Sequence, residues 1–192
     1  MRNYFFILCL LILGCDTGKL KVVMDLPIAL NEVSGLETDV ENNLLELKIA
    51  LPKATPVAGN YAPYVLYNNL LSVSGQTCKT DGVLAYIGQV GAELSVDDGV
   101  KAARICALNV LAQVQEACEG DWSRVKQCIK LTVFVNSFAN FSQQPAVANG
   151  ASDLVVSVLG KRGIHTRAAV GASSLPGNSA VEIDALFAIA NA

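Results

Sequence analysis

The chain has 192 residues, of which 52% are hydrophobic and only 16% are charged, and its formal net charge is −3. This length fits one domain of ordinary size with an extension. The negative net charge disfavours nucleic acid as a partner, because the chain has no excess of basic residues to attract phosphate groups. Soluble proteins usually carry about 25% charged residues, so the low charge content indicates an oligomer that buries part of its surface.

The first 15 residues, MRNYFFILCLLILGC, contain an uncharged apolar run after a single arginine. The run is shorter than the roughly 20 residues of a membrane-spanning helix and has the length of a signal-peptide core. It ends in ILGC, which resembles the bacterial lipobox. Cys15 is therefore a candidate for lipidation, which would anchor the protein in the cell envelope. The alternative is translation from Met24, which would give a cytoplasmic protein.

Residues 16–36 mix glycine, proline and polar residues without clear periodicity, and they predict a tether that leads into a single domain over residues 37–192. The stretch LETDVENNLLELKIAL predicts a short helix that is ended by Pro52. The stretch APYVLYNNLLSVSGQ predicts a β-hairpin around Asn68 and Asn69, since asparagine tolerates positive φ. An extended segment, GVLAYIGQVG, follows.

Two longer helices follow, with a strand between them. Ser95 is a good N-cap for the first helix, whose apolar residues recur at steps of three and four until Gly120. The apolar, β-branched residues 129–135 predict the strand. The second helix lies in QPAVANGASDLVVSVLG, with Pro145 in its first turn and Gly160 near its end.

The chain closes with two stretches that read as strands, HTRAAVGASSL and SAVEIDALFAI, separated by a Pro-Gly turn. If they form a hairpin about that turn, Arg167, Glu182 and Asp184 share one face, with Asp184 diagonal to Arg167. The order of the elements predicts an α/β fold in which two main helices cover one face of a mixed sheet.

Arg167 is the strongest candidate for chemistry, because a guanidinium is a planar fork of donors that can hold a carboxylate in two places. The alternative is a surface arginine or an ion pair with Asp184. Glu182 and Asp184 form either a general acid/base group or a solvated face. His165 is the only histidine, and without a matching serine or cysteine motif a catalytic triad is disfavoured.

Small and polar residues near the first two strands are weaker candidates. Ser74 and Gly75 could bring a hydroxyl or a backbone N–H close to a ligand, or they could form a plain turn. Tyr64 could donate from its phenol, or it could be a half-buried strand tyrosine.

The four cysteines beyond the leader contain no C-x-x-C pair, and with one histidine they do not make a metal-ligand cluster. They predict small buried hydrophobic residues, and their redox state is left open. They are Cys78, Cys106, Cys118 and Cys128.

Several of these stretches together resemble the Rid (YjgF) family of reactive-intermediate deaminases. APYV, LLSVSGQ, VKQCIKLTVFVNS, ANGASDL and HTRAAVG…LP…AVEIDAL occur in the family's order and spacing over residues 50–190. The segment NGASDL is similar to the longer subgroup called endoribonuclease L-PSP-like.

The resemblance implies a chorismate-mutase-like α/β fold and a homotrimer with ligand clefts between subunits. It also implies hydrolysis of imines and enamines, such as 2-aminoacrylate, to 2-oxo acids and ammonia, without a metal or organic cofactor. By motif matching, Arg167 grips the substrate carboxylate and Glu182 assists the water molecule. The other cleft positions fall on Tyr64, Ser74, Gly75 and Asn149.

The chain departs from the family pattern at Ala169, where many deaminase members carry a cysteine, and this difference puts the cleft shape and the substrate in doubt. An alternative function is a non-catalytic trimer that binds small carboxylates with the same arginine and cleft. The old family label suggests a ribonuclease, against which the acidic charge and the absence of basic or aromatic stripes argue.

Overall fold

Helices and strands account for most of the part of the chain that the computed structural model describes, which is residues 39–190. The predicted leader with Cys15 and the predicted tether lie outside the described residues. The helices are α1 (Val40–Glu46), α2 (Val96–Ala117) and α3 (Gln144–Leu159). The strands are β1 (Tyr64–Tyr67), β2 (Leu70–Thr77), β3 (Lys79–Thr80), β4 (Val83–Leu84), β5 (Val125–Asn136), β6 (Thr166–Ala172) and β7 (Val181–Ile189).

Five of the strands form a mixed sheet in the order β1-β2-β7-β5-β6, and β3 pairs with β4 in a separate hairpin. β5 and β6 are parallel, whereas the other neighbours in the sheet are antiparallel. Helices α2 and α3 pack against each other and over one face, where alternate residues of β7 are buried. The predicted fold class, a mixed sheet with two main helices on one face, is confirmed.

The predicted start of α2 and both predicted ends of α3 are also confirmed, whereas α2 ends at Ala117, before the predicted Gly120. At the start of α2, the Ser95 hydroxyl accepts the backbone N–H of Asp98 at 3.1 Å, and the Asp98 carboxylate accepts the Ser95 N–H at 3.2 Å. This reciprocal pair is a capping box, and it satisfies backbone donors that the first turn leaves without partners. After α2 the chain turns at Gly120, and α3 ends at Gly160; both glycines have positive φ.

The hairpin at the start of the sheet forms as the sequence predicts. Tyr67 pairs with Leu70, and Asn68 between them has a φ of 52°. The prediction that Pro52 ends the short helix is wrong: α1 already ends at Glu46, and Lys48 adopts a φ of 54° that a helix does not allow.

The hairpin predicted between the last two strands is wrong. β5 lies between β6 and β7, and its residue Leu131 pairs with Arg167 on one side and with Ala185 on the other. A parallel strand reached through a helix forms a β-α-β unit, which places β6 beside β5 at the sheet edge and leaves β7 to pair with β2 and β5.

This topology also overturns the predicted grouping of side chains. Arg167 is in register with buried Leu131 and therefore points to the helix-covered face, where it contacts α3. Glu182 and Asp184 alternate with the buried residues of β7 and point to the open face. An ion pair between Arg167 and Asp184 of one chain is therefore excluded.

All four cysteines of the described region are buried, free thiols, as expected of small hydrophobic residues. Between residues 39 and 190, no helix combines the length and the apolar character needed to cross a membrane.

Candidate functional site

Arg167 is an exposed side chain on the edge strand β6, and α3 fixes the position of its guanidinium. Nη1 donates to Asn149 Oδ1 at 3.0 Å and to Ser152 Oγ at 2.9 Å, and Nη2 approaches the Pro145 carbonyl oxygen at 3.4 Å. A guanidinium has five N–H groups. These three hydrogen bonds leave two N–H groups without a partner among the described residues, and two donors can hold a carboxylate.

The acceptors of Arg167 share one stripe of α3, because Pro145, Asn149 and Ser152 are separated by four and three residues. The helix can place this stripe at the sheet edge because its opposite side packs tightly against α2. At Gly150, a Cβ atom would lie 2.1 Å from the Val100 carbonyl oxygen, so this close approach requires glycine.

Ser152 also contacts His165, a residue pair that the sequence does not single out. His165 Nε2 lies 3.0 Å from Ser152 Oγ, and its Nδ1 lies 2.6 Å from the Gly163 carbonyl oxygen. Burial lowers the pKa of His165 and the charge of Arg167 lowers it further, against the raising effect of the Gly163 carbonyl. The three-residue spacing from Asn149 to Ser152 is the sequence signal that could have found this serine.

Glu182 lies on the open face of β7, with its carboxylate directly over the backbone of Gly75. A Cβ atom at residue 75 would lie only 2.1 Å from Glu182 Oε1. The pKa of Glu182 is raised, chiefly by burial and also by the neighbouring negative charge of Asp184. A carboxyl group whose pKa is raised toward neutrality is suited to general acid/base work.

Gly75 and Ser74 occupy a β-bulge in β2. Val73 pairs with Ala185 and Gln76 pairs with Ile183, so β2 has one more residue than β7 in this interval. The bulge lets Gly75 approach Glu182 closely.

Ser74 ties the segment before β1 to the bulge. Its hydroxyl donates to the Ala62 carbonyl at 2.8 Å, and its N–H donates to the Pro63 carbonyl at 2.9 Å. Tyr64, which follows this segment, packs against the hydrophobic core. Ser74 and Tyr64 therefore both contact other residues of the same chain.

A cavity of about 560 Å³ opens beside Glu182. Its walls are residues 55–58, the end of β2 and the β3–β4 hairpin. Asn109, which is not among the predicted site residues, lies in this wall, and its Nδ2 donates to the Thr77 and Lys79 carbonyls, both at 3.0 Å. The signal that could have found it is a polar amide within the apolar stripe of α2.

Four of the predicted site residues form two groups in one chain. Arg167 and Asn149 lie together on the helix-covered face, whereas Glu182 lies with Gly75 on the open face. The strands that carry Arg167 and Glu182 are separated by β5, a distance of about 10 Å at the usual strand spacing. A ligand of a few atoms cannot contact both residues within one chain.

Within residues 39–190, no cluster of three or more His, Cys, Asp or Glu side chains is arranged to hold a metal ion.

Comparison with known proteins places these features in a family. The family model "YjgF/chorismate_mutase-like, putative endoribonuclease" matches residues 41–189. Protein TCP17 of Trypanosoma cruzi is 50% identical over 153 residues, which cover 79% of this chain and 95% of that protein.

Two crystal structures share both sequence and fold with the chain. Protein Atu1372 from Agrobacterium tumefaciens is 44% identical, with a TM-score of 0.73 and coverage of 84% of this chain and 95% of that chain. A "putative endoribonuclease" from Shewanella oneidensis is 33% identical, with a TM-score of 0.75 and coverage of 78% and 99%. The chain therefore belongs to the YjgF/chorismate mutase-like family, also called the Rid or endoribonuclease L-PSP family.

Proposed function

We propose that the protein hydrolyses small imines or enamines that carry a carboxylate, such as 2-aminoacrylate, to 2-oxo acids and ammonia. The observation that carries this proposal is the anchored guanidinium of Arg167, which three protein oxygens orient while two donors remain for a ligand. The resemblance of the surrounding motifs to the Rid deaminases supports the same chemistry.

The reaction needs little machinery, because a protonated imine is already electrophilic. Arg167 holds the substrate carboxylate and thereby fixes the imine carbon in one orientation. The Glu182 carboxylate takes a proton from the attacking water, and the resulting carbinolamine then expels ammonia after its nitrogen is protonated. The raised pKa of Glu182 suits this transfer, since the group can return the proton to the leaving nitrogen.

The reacting cleft lies between subunits in this proposal. Arg167 and Glu182 of one chain point to opposite faces of the sheet, so a small substrate can contact both only if two chains contribute. The open face also exposes apolar side chains, including Val65 at 55% and Tyr67 at 74% exposure. An exposed apolar patch marks an interface, and a closed homotrimer would repeat the same cleft at each contact.

The first test replaces Arg167 with alanine. Loss of a charge-assisted bidentate interaction costs on the order of 3 kcal/mol, so kcat/KM for a freshly generated imine should fall by about 100-fold or more. Arg167→Lys should recover little, because an ammonium is a point charge. Arg104→Ala, at an exposed position of α2, is the matched control and should keep full activity. Near-wild-type turnover by a folded Arg167→Ala protein would refute the role of Arg167.

The second test addresses the shared cleft by subunit mixing. Arg167→Ala and Glu182→Gln should each be inactive, and their co-refolded mixture should regain activity. At equal mixing, about a quarter of the clefts combine an intact arginine from one chain with an intact glutamate from the next. Mixed trimers that native mass spectrometry detects but that remain inactive would contradict the shared site, and so would a monomer in light scattering.

The second candidate function is a non-catalytic trimer that binds small carboxylates. It is favoured by Ala169, which is paired with Val133 and packs against the core where many deaminase members carry a cysteine. Binding of a carboxylate that depends on Arg167, without acceleration of imine hydrolysis, would support this function over the deaminase.

A further inference from the structure

We infer that Ser152 and His165 are positioning residues for Arg167, forming a hydrogen-bond relay that orients the guanidinium toward an incoming carboxylate. The inference rests on the proposed role of Arg167 as the carboxylate-binding group. The relay consists of the Gly163 carbonyl, the His165 ring, the Ser152 hydroxyl and the Arg167 guanidinium, in that order.

The chemistry of the acceptors fixes the direction of every bond in the relay. A carbonyl oxygen only accepts hydrogen bonds, so His165 Nδ1 must carry the proton that it shares with Gly163 at 2.6 Å. In the neutral ring Nε2 is then an acceptor, and the Ser152 hydroxyl donates to it at 3.0 Å. The lone pairs of the same hydroxyl accept from Arg167 Nη1 at 2.9 Å.

This arrangement matters because Arg167 stands on an edge strand and is exposed to solvent. A free arginine side chain loses considerable rotamer entropy when a ligand fixes it. Asn149 and the Ser152 hydroxyl fix Nη1 in advance, and His165 in turn fixes the rotation of that hydroxyl. Much of the entropy that ligand binding would otherwise take from the Arg167 side chain is therefore already lost in the folded protein.

Protonation of His165 would disrupt the relay. A doubly protonated ring presents an N–H to Ser152, so the hydroxyl can no longer donate to Nε2, and a second positive charge faces Arg167.

The charged side chains on the elements packed around His165 are Asp153 on α3, Lys161 and Arg162 in the turn before it, Lys126 and Lys130 on β5, and Arg167 on β6. Among these, Arg167 is the group whose charge shifts the pKa of His165, and it acts in the same direction as burial.

A spectroscopic test follows from the fact that the chain has a single histidine. Long-range ¹H–¹⁵N spectra of the wild-type protein should show the Nδ1–H tautomer at neutral pH. The midpoint of the histidine titration should lie below that of an ordinary histidine. Propionate, as a stable small carboxylate, should lower this midpoint, because a ligand that binds the intact relay more tightly favours the neutral ring. An Nε2–H tautomer, or a midpoint that propionate raises or leaves unchanged while it binds, would overturn the relay.

A kinetic test separates positioning from a structural role. Ser152→Ala and His165→Phe should raise KM by about three- to ten-fold with little change in kcat. His165→Gln offers an amide oxygen near Nε2, so it should retain the low KM. It should also lose the rise in KM that we expect protonation of His165 to cause in the wild-type protein as pH falls. Ser157→Ala, which removes a hydroxyl bonded only to its own helix backbone among the described residues, is the control. An unchanged KM and unchanged propionate affinity in Ser152→Ala would overturn the inference.

The two proposals fail in distinguishable ways. If the wild-type protein shows the expected tautomer and a histidine shift with propionate but does not hydrolyse imines, the relay stands and the deaminase function fails. If imines are hydrolysed in an Arg167-dependent manner while the tautomer is Nε2–H, the function stands and the relay fails.

Discussion

Gly75→Ala is a sharp test of the position of Glu182. An alanine Cβ at residue 75 would lie 2.1 Å from Glu182 Oε1 and 2.9 Å from its Cδ. Alanine can adopt the backbone conformation of Gly75, because the φ of Gly75 is not in the positive range that disfavours alanine. The end of the Glu182 side chain must therefore give way.

The size of the movement sets the expected effect. To restore an ordinary contact of 3.4 Å, the carboxylate oxygen must retreat by about 1.3 Å. A misplacement of about 1 Å in a catalytic group can cost roughly 100-fold in rate, which corresponds to about 2.7 kcal/mol in activation free energy. Stability should change by about 1 kcal/mol or less, because the strained group is a flexible side-chain end and alanine restricts the unfolded chain.

The assay measures kcat for imine hydrolysis beside thermal unfolding. Gly75→Ala should lose about 100-fold in kcat with a nearly unchanged Tm. In a Glu182→Ala background the same substitution meets no carboxylate, so it should add little further loss, and the two changes should be strongly non-additive. A folded Gly75→Ala protein with kcat within about two-fold of wild type would refute catalysis by Glu182 from this position.

Three other substitutions probe the pH dependence and the supports of the site. If the Glu182 carboxylate is the base, kcat should fall as the pH drops through the raised pKa of Glu182. Asp184→Asn removes a negative charge that raises this pKa, so the acid limb of the kcat–pH profile should move to lower pH. A kcat–pH profile measures this limb, and an unmoved limb would contradict the base role. Asn109→Ala leaves the Thr77 and Lys79 carbonyls of the cavity wall without their Asn109 donor. The free energy of unfolding, measured by denaturant titration, should fall by about 1–3 kcal/mol. An unchanged midpoint would show that these two hydrogen bonds do not stabilise the fold. Gly150→Ala forces a methyl group against the Val100 carbonyl and should lower the free energy of unfolding by about 1–3 kcal/mol, so a Tm that does not fall would contradict the tight α2–α3 contact.

Local patterns in the sequence determined much of this fold. The Ser95 cap, the apolar steps of α2 and the alternation along β7 are set by neighbours within one turn or one strand, so they can be read without knowing the partner element. Asn68 marks the first hairpin for the same reason, because a tight turn depends on the φ preference of a few residues. The motif order indicated the family, which the comparisons confirmed.

The pairing of the last strands was decided only by the tertiary structure. β6 and β7 are adjacent in sequence, yet β6 joins β5 through the α3 crossover and β7 gains partners on both sides. Strand pairing is a competition among distant segments for buried surface and hydrogen bonds, and a single sequence does not rank these competitors. That outcome placed Arg167 against α3 and Glu182 over Gly75, on opposite faces of one sheet. It also brought His165 to Ser152, which no spacing in the sequence could specify, because their contact depends on how the helix docks at the sheet edge.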